Sequence, residues 1–158
     1  MNKELLHELF DYCDGKLFWK EKRNGVNLNN EAGYLASHGY WHIKVNNKIF
    51  KRHRIVFEMH NGYLPEFIDH INGIKNDDRI ENLRKCNKTQ NQYNSKLRLN
   101  NKSGLKGVCW HKRFKKWSVQ ITVNKKKHFI GYFDDLKLAD LAAIEARNKY
   151  HKEFANHG

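Results

Sequence analysis

The sequence has few of the features that mark secreted or membrane proteins. Its three cysteines, Cys13, Cys86 and Cys109, are odd in number and widely spaced, so they form neither a disulfide framework nor a zinc-ligand pattern. No apolar run approaches the roughly 18 residues that a membrane span needs. The first ten residues carry acids and no cleavage-like site, which argues against a secretory signal. We therefore expect a cytoplasmic protein with no membrane partner.

Acidic residues are also missing from one long segment. Residues 82–133 hold 14 Lys/Arg and no Asp/Glu. Residues 1–81 hold 12 of each, and residues 134–158 hold four Lys/Arg and five Asp/Glu, so the net charge of +13 lies in the middle segment. Such a segment repels itself unless a polyanion neutralises it, and nucleic acid is the commonest polyanion in a cell. DNA, RNA and a basic surface without a dedicated ligand all stay open on this observation.

The hydrophobic patterns predict a mixed α+β fold. The apolar fraction of 39% indicates a modest core, which two small cores could share. Apolar spacing predicts helices at two places, and alternation predicts two hairpins with an asparagine in each turn. The predicted helices cover residues 2–12 and 136–154, and the predicted hairpins cover residues 39–57 and 117–130.

A polar span at residues 67–94 carries the candidate chemistry. Its start predicts a strand that ends at Asp69 and His70, and Thr89 begins a capping-box pattern that predicts a helix. Asp69 and Asn91 are oxygen ligands of the kind that Mg²⁺ or Mn²⁺ prefers, with Asn94 as a rival to Asn91. An adjacent imidazole can take a proton from water, so the span predicts a metal-dependent hydrolytic site.

Residues 53–94 resemble an HNH endonuclease of the phage and intron-homing type. The matching marks are His-Arg at the start, Asp-His-Ile-Asn-Gly, the Arg-x-Glu-Asn-Leu-Arg run, and a final Gln-Asn-x-x-Asn. The resemblance implies a ββα-metal fold in which Asp69 and Asn91 hold one divalent cation, Mg²⁺, with Mn²⁺ as a substitute. It makes His70 the general base and Asn82 the residue that ties the hairpin loop and orients His70. Asp78 stands where the family often has Asn, and we expect a loop role for it.

Residues 103–156 are similar to an APETALA2-type DNA-binding domain, a small three-stranded antiparallel sheet backed by one helix. The marks include Gly107-Val108, Lys116-Trp117 and an alanine-rich helix. In that family the exposed sheet face enters the major groove of double-stranded DNA. The residues expected there are His111, Arg113, Gln120, Thr122, Lys127 and Phe129, with Lys112, Lys115 and Lys116 on phosphates and Lys96 and Arg98 contributing from the linker.

These observations lead to a single hypothesis of organisation and function. Residues 1–94 hold an N-terminal region and the nuclease domain, with its motif core at 53–94. Residues 95–106 form a basic linker, and residues 107–158 form the DNA-binding domain. We expect a homing-type DNA endonuclease that prefers a site and nicks one strand as a monomer, leaving 5′-phosphate and 3′-hydroxyl ends. The alternatives are a DNA-binding regulator with an inactive nuclease fold and a structured-RNA binder.

Overall fold

The protein is described by a computed structural model that covers residues 2–22, 30–97 and 100–158. It divides into two compact units, residues 1–87 and residues 88–158, called here the first and second units. The described residues combine four α-helices with several small antiparallel sheets, so the predicted mix of helix and strand is confirmed. Among the same residues, no helix has the length and apolar character that crossing a membrane requires.

The first unit is built from short elements around one core. The N-terminal helix is capped by Asn2, whose side-chain oxygen accepts from the Leu5 backbone nitrogen at 3.1 Å. The core is formed by side chains from the helices, the first hairpin and the following sheet, among them Leu6, Phe10, Ile43 and Val56. The elements are α1 (Lys3–Leu9), β1 (Phe10–Cys13), β2 (Lys16–Trp19), β3 (Tyr34–Leu35), β4 (Trp41–Val45), β5 (Lys48–Lys51), α2 (Arg52–Asn61), β6 (Phe67–His70), a 3-10 turn (Ile80–Asn82) and β7 (Leu83–Cys86).

The hairpin predicted at residues 39–57 is present but shorter. Asn46 and Asn47 turn between β4 and β5 with φ of 47° and 61°, which matches a type I′ turn. The prediction that the second strand runs to Phe57 is wrong, because α2 begins at Arg52. The β-branched pair Ile55-Val56 resembles a strand, yet the buried Arg52, Ile55, Val56 and Met59 recur at helical spacing and give α2 one buried face.

The second unit holds the expected three strands and one helix, preceded by a short helix. Strand order is β10-β9-β8, all antiparallel, and α4 packs on one face of this sheet through Ala139 and Ala143 against Val108 and Val119. Asp135 caps α4 by accepting from the Leu138 nitrogen at 2.9 Å. The elements are α3 (Lys88–Tyr93), β8 (Val108–His111), β9 (Lys116–Val123), β10 (Lys126–Phe133), α4 (Leu136–His151) and a 3-10 turn (Lys152–Phe154).

Helix α3 begins earlier in the chain than the sequence predicts. The capping-box pattern predicted Thr89 as the residue before the helix, but α3 already includes Lys88. Thr89 therefore lies within the first turn. The hairpin turn at Asn124 and Lys125 is as expected, with φ of 49° and 65° between β9 and β10.

Candidate functional site

Asp69 and His70 lie at the end of β6, opposite β7. The two strands pair so that Asp69 faces Arg84 and His70 faces Leu83. Both side chains are nearly excluded from solvent, at 5% and 6% exposure. Successive residues of a strand point to opposite faces, so each of the two groups has its own set of partners.

Asp69 is paired with the arginine across the hairpin. The Oδ2 atom of Asp69 accepts from Arg84 Nε at 2.9 Å and lies 2.8 Å from Arg84 Nη2. A buried carboxylate is strongly unfavourable without such a partner. The pairing keeps a charged, hard oxygen donor inside the fold, which is the ligand type that Mg²⁺ and Mn²⁺ bind.

His70 is held by a chain of buried charged groups. Its Nε2 lies 2.8 Å from Asp78 Oδ1, and Asp78 Oδ2 accepts from Arg52 Nε at 2.7 Å. Arg52 in turn pairs with Glu31 and donates to the Asn76 carbonyl at 3.0 Å. A carboxylate only accepts, so His70 Nε2 is the donor of this contact and carries a proton.

The sequence prediction missed the buried contacts of Asp78. Asp78 was expected to serve a loop, but it is 1% exposed and joins His70 to Arg52. The sequence shows that Asp77 and Asp78 are adjacent acids, but only the structure shows that their side chains have different partners. Asp77 pairs with Arg79, whose hydrogen bonds lower the pKa of Asp77 to about 2, while Asp78 turns inward.

Asn82 fastens the loop between β6 and β7. Its Oδ1 accepts from the Asn72 backbone nitrogen at 3.0 Å, and its Nδ2 donates to the Asp77 carbonyl at 2.7 Å. Nδ2 also donates to Asn72 Oδ1 at 3.0 Å. Asn82 therefore restrains the loop that carries Asp78, and its effect on His70 stays a prediction.

His53 lies beside His70 in the same buried region. The two rings are 5.0 Å apart in an edge-on arrangement, and the ring of Tyr40 lies 5.4 Å from His53. Burial is the main reason that the pKa of His53 falls to about 2, with the nearby His70 and Lys51 adding to the effect. His53 therefore stays neutral across the physiological range.

Among the described residues of the first unit, one cluster of side chains and one separate carboxylate could serve as metal ligands. Asp69 offers a hard oxygen, and the ligand atoms of His53, His70 and Asp78 lie within 4.8 Å of one another. Two imidazoles with one carboxylate suit Zn²⁺ and similar ions better than Mg²⁺. Both carboxylates already hold an arginine, Asp78 with Arg52 and Asp69 with Arg84, so a metal ion would have to share either carboxylate with its cation.

Asn91 and Asn94 lie at α3, in the second unit. Asn91 is exposed, whereas Asn94 is 6% exposed and its Oδ1 accepts from Asn156 Nδ2 at 3.1 Å. Asn94 is thus tied to the C-terminal segment of its own unit, which favours Asn91 of the two as a ligand. The role of Asn91 stays a prediction.

The sheet face opposite α4 carries an exposed aromatic cluster. Tyr132 lies at its centre, with its ring centroid 4.8 Å from that of Phe129, 5.0 Å from that of Phe114 and 5.2 Å from that of His111. The rings of His111 and Phe114 also stack on each other. Phe114, Phe129 and Tyr132 are 49%, 54% and 40% exposed, so the cluster faces solvent. The sheet therefore presents an exposed apolar patch among basic residues.

Most residues predicted for this face have the required register. Gln120 pairs with Phe129 and Thr122 with Lys127, which places these four on the side away from Val119 and Ile121. Simple alternation missed Tyr132, because a bulge between Phe129 and Gly131 shifts it to the same side. Phe114 was missed because it lies in the turn before β9.

The predicted cationic residues have different surroundings. Lys112, Lys115 and Lys96 are exposed, and Arg113 lies with its guanidinium 5.7 Å from the Phe114 ring centre. Lys116 is partly neutralised by Asp134, 3.1 Å away. Arg98 falls outside the described residues.

Comparison with known proteins identifies a domain and a relative. Residues 50–93 match the family model described as HNH endonuclease. The chain is also 35% identical over 107 residues to Protein 3.8 of Escherichia phage T7, an alignment that covers 66% of this chain and 88% of that protein. No solved structure matches the chain.

Proposed function

The chain belongs to the family of the phage T7 Protein 3.8 and carries an HNH endonuclease domain, and on this premise we propose that it is a metal-dependent DNA endonuclease. The observation that carries the proposal is the buried chain Arg52–Asp78–His70 beside Asp69. It combines a base of fixed orientation with an adjacent oxygen ligand. Neither group is needed for binding DNA alone.

In the proposed reaction His70 activates the attacking water. Nε2 is held by Asp78, so Nδ1 accepts the proton as the water oxygen attacks phosphorus. The bond from phosphorus to the 3′ oxygen breaks, leaving 5′-phosphate and 3′-hydroxyl ends. Asn82 keeps the loop that carries Asp78 in place, which makes both residues positioning groups.

Asp69 and Asn91 are the proposed ligands of one divalent cation, Mg²⁺ or Mn²⁺, in the ββα-metal arrangement of this family. When bound, the ion neutralises charge that develops on the scissile phosphate and leaving oxygen. Arg84 holds the Asp69 carboxylate in a fixed orientation through its hydrogen bond.

The second unit is proposed to hold the DNA, as an APETALA2-like domain would. Its open sheet face presents the aromatic cluster for contacts with deoxyribose and thymine methyl groups in a groove. Gln120, Thr122 and Lys127 stand beside the cluster, and the lysines around it suit phosphates. We propose a site-preferring enzyme of the homing type that acts as a monomer in the host cytoplasm. One metal centre then nicks one strand per encounter.

Cleavage of supercoiled phage DNA or plasmid in Mg²⁺ tests the proposal. The variants are His70→Gln, whose amide can still donate to Asp78, and His60→Gln, a matched control at an exposed histidine of α2. We expect nicked product from the wild type and from His60→Gln, and none in EDTA or from His70→Gln. A gel shift on the same samples should show unchanged binding.

Two other outcomes would contradict parts of the proposal. Tight binding without cutting by any form, in Mg²⁺ or Mn²⁺, would favour a DNA-binding regulator with an inactive nuclease fold. Equal cutting by wild type and His70→Gln would leave a nuclease but remove His70 as its base. The Asn91→Ala variant, measured for its Mg²⁺ requirement, tests the second ligand separately.

A further inference from the structure

The second unit contains a cavity that the proposed reaction does not use. It has a volume of about 540 Å³ and is bordered by α3, β9, α4 and the residues around Gly107. None of the described residues that line it is acidic. Its charged lining consists of Lys96, Lys106, Lys125 and Arg147.

Arg147 on α4 is a buried cation that forms no ion pair with any described residue, although the more distant carboxylate of Asp140 acts on its charge. Arg147 is 4% exposed, its Nη1 donates to the Lys106 carbonyl at 2.5 Å, and its Nε donates to His157 Nδ1 at 3.2 Å. Its Nη2 is buried with no hydrogen-bond partner. Burial lowers the pKa of Arg147, yet a guanidinium keeps its charge in proteins. A buried guanidinium nitrogen with no hydrogen-bond partner is unfavourable, and a ligand oxygen in the cavity would supply that partner.

Two further groups at the cavity form no ion pair with any residue that the structure describes. Lys106 Nζ donates only to the carbonyls of Tyr93 and Asn156, at 3.4 and 3.0 Å, and burial together with Arg147 lowers the pKa of Lys106 to about 8. His151 stacks on Tyr93 and uses Nε2 on the Thr122 carbonyl, leaving a buried Nδ1 with no partner. Among the described residues, three buried side-chain nitrogens have no hydrogen-bond partner, and two of them border this cavity.

We propose that this cavity binds a phosphate group through Arg147 and Lys106. A phosphate offers several acceptor oxygens, and a guanidinium and an ammonium side by side match it in charge and geometry. Lys96 and Lys125 lie at the exposed rim, where they attract the anion. The phosphate is either a backbone phosphate of bound DNA or a free phosphate. The proposal goes beyond the nuclease activity and does not depend on it.

Thermal unfolding in inorganic phosphate, without DNA or metal, tests the site directly. Chloride is replaced by phosphate at constant ionic strength, and Arg147→Met is compared with Lys149→Met, an exposed cation on the same helix. We expect a saturable rise in Tm for the wild type and Lys149→Met, and none for Arg147→Met. Because Arg147→Met could unfold the unit, Lys96→Met/Lys125→Met, which removes only exposed rim lysines, should lower the phosphate affinity several-fold. Equal rises in all four proteins would overturn the proposal.

The salt dependence of duplex binding separates the two sources of phosphate. If a DNA phosphate enters the cavity, the slope of log Kd against log salt concentration is smaller by about 1 in Arg147→Met than in Lys149→Met. An unchanged slope, with the phosphate effect on Tm retained, assigns the site to free phosphate. Neither assay uses cleavage, so a failure of the nuclease proposal would be seen separately.

Discussion

The two units differ in where they keep their charged groups. Residues 1–87 contain 14 Lys/Arg and 12 Asp/Glu, whereas residues 88–158 contain 16 and five. In the first unit, oppositely charged groups are buried in pairs, as in Arg52–Asp78 and Arg84–Asp69. In the second, most cations are exposed and the aromatic rings face solvent. A paired, enclosed network suits catalysis, and an unpaired basic surface suits binding a polyanion.

The largest expected effect comes from breaking the buried network. Asp78→Ala leaves Arg52 buried without one of its carboxylates, so we expect a loss of about 3–5 kcal/mol in the free energy of unfolding. Urea denaturation followed by circular dichroism measures this loss. Asp78→Asn keeps one acceptor oxygen and should lose less stability, but it can present its NH₂ group to His70 and should lower kcat by roughly tenfold or more. An Asp78→Ala protein as stable as the wild type would contradict the network.

Variants of the aromatic cluster in the second unit should weaken DNA binding rather than lower the free energy of unfolding. Removing one ring, as in Phe129→Ala or Tyr132→Ala, deletes an apolar contact with DNA and should cost about 1–3 kcal/mol of binding free energy. Duplex affinity by fluorescence anisotropy measures this. Leu141→Ala, which removes an exposed apolar residue of α4, is the matched control and should bind normally. Equal Kd values for all three variants would exclude the cluster as a DNA contact.

The buried His53 should make the first unit less stable at acid pH. Its folded pKa is about 2 against an ordinary 6.5, so below pH 6.5 the unfolded chain binds a proton that the folded chain does not. Stability should therefore fall by about 1.4 kcal/mol per pH unit from this residue alone as pH drops below 6.5. Denaturation at pH 7 and pH 5.5 measures the effect, and His53→Asn should remove that share. An unchanged slope in the variant would mean that His53 is not buried in its neutral form.

The smallest expected effect is a change in the salt dependence of DNA binding when one exposed lysine is removed from either unit. Lys127→Met on the open sheet face should reduce the salt dependence of DNA binding by about one phosphate contact. Lys44→Met, which removes an exposed lysine of β4, should leave it unchanged. If both variants change the slope alike, the DNA contact is not confined to the second unit.

Local patterns predicted the hairpins and the sheet, and failed where tertiary context decides. Asn46-Asn47 and Asn124-Lys125 are turn residues whose left-handed backbone is encoded locally. The start of α2 was hidden because Ile55-Val56 has strand propensity, and only burial against the core selects the helix.

The residues of the candidate site also divide into those that the local sequence predicts and those whose contacts depend on the fold. Asp69 and His70 could be named from the sequence because they stand in a dense motif. The role of Asp78 depends on a loop that turns its carboxylate inward onto His70 and Arg52, which no residue spacing reveals. Tyr132 joins the aromatic cluster through a bulge, and a bulge breaks the alternation on which strand predictions depend.

The division of labour is tested most directly by measuring cleavage and binding on two variants side by side. Single-turnover cleavage at saturating protein and duplex Kd are measured for His70→Gln and Phe129→Ala. We predict that His70→Gln cuts about 10²–10⁴-fold more slowly with an unchanged Kd. Phe129→Ala should bind more weakly yet cut at the wild-type rate once saturated. If either variant changed both quantities to the same extent, or if His70→Gln cut like the wild type, the account would be contradicted.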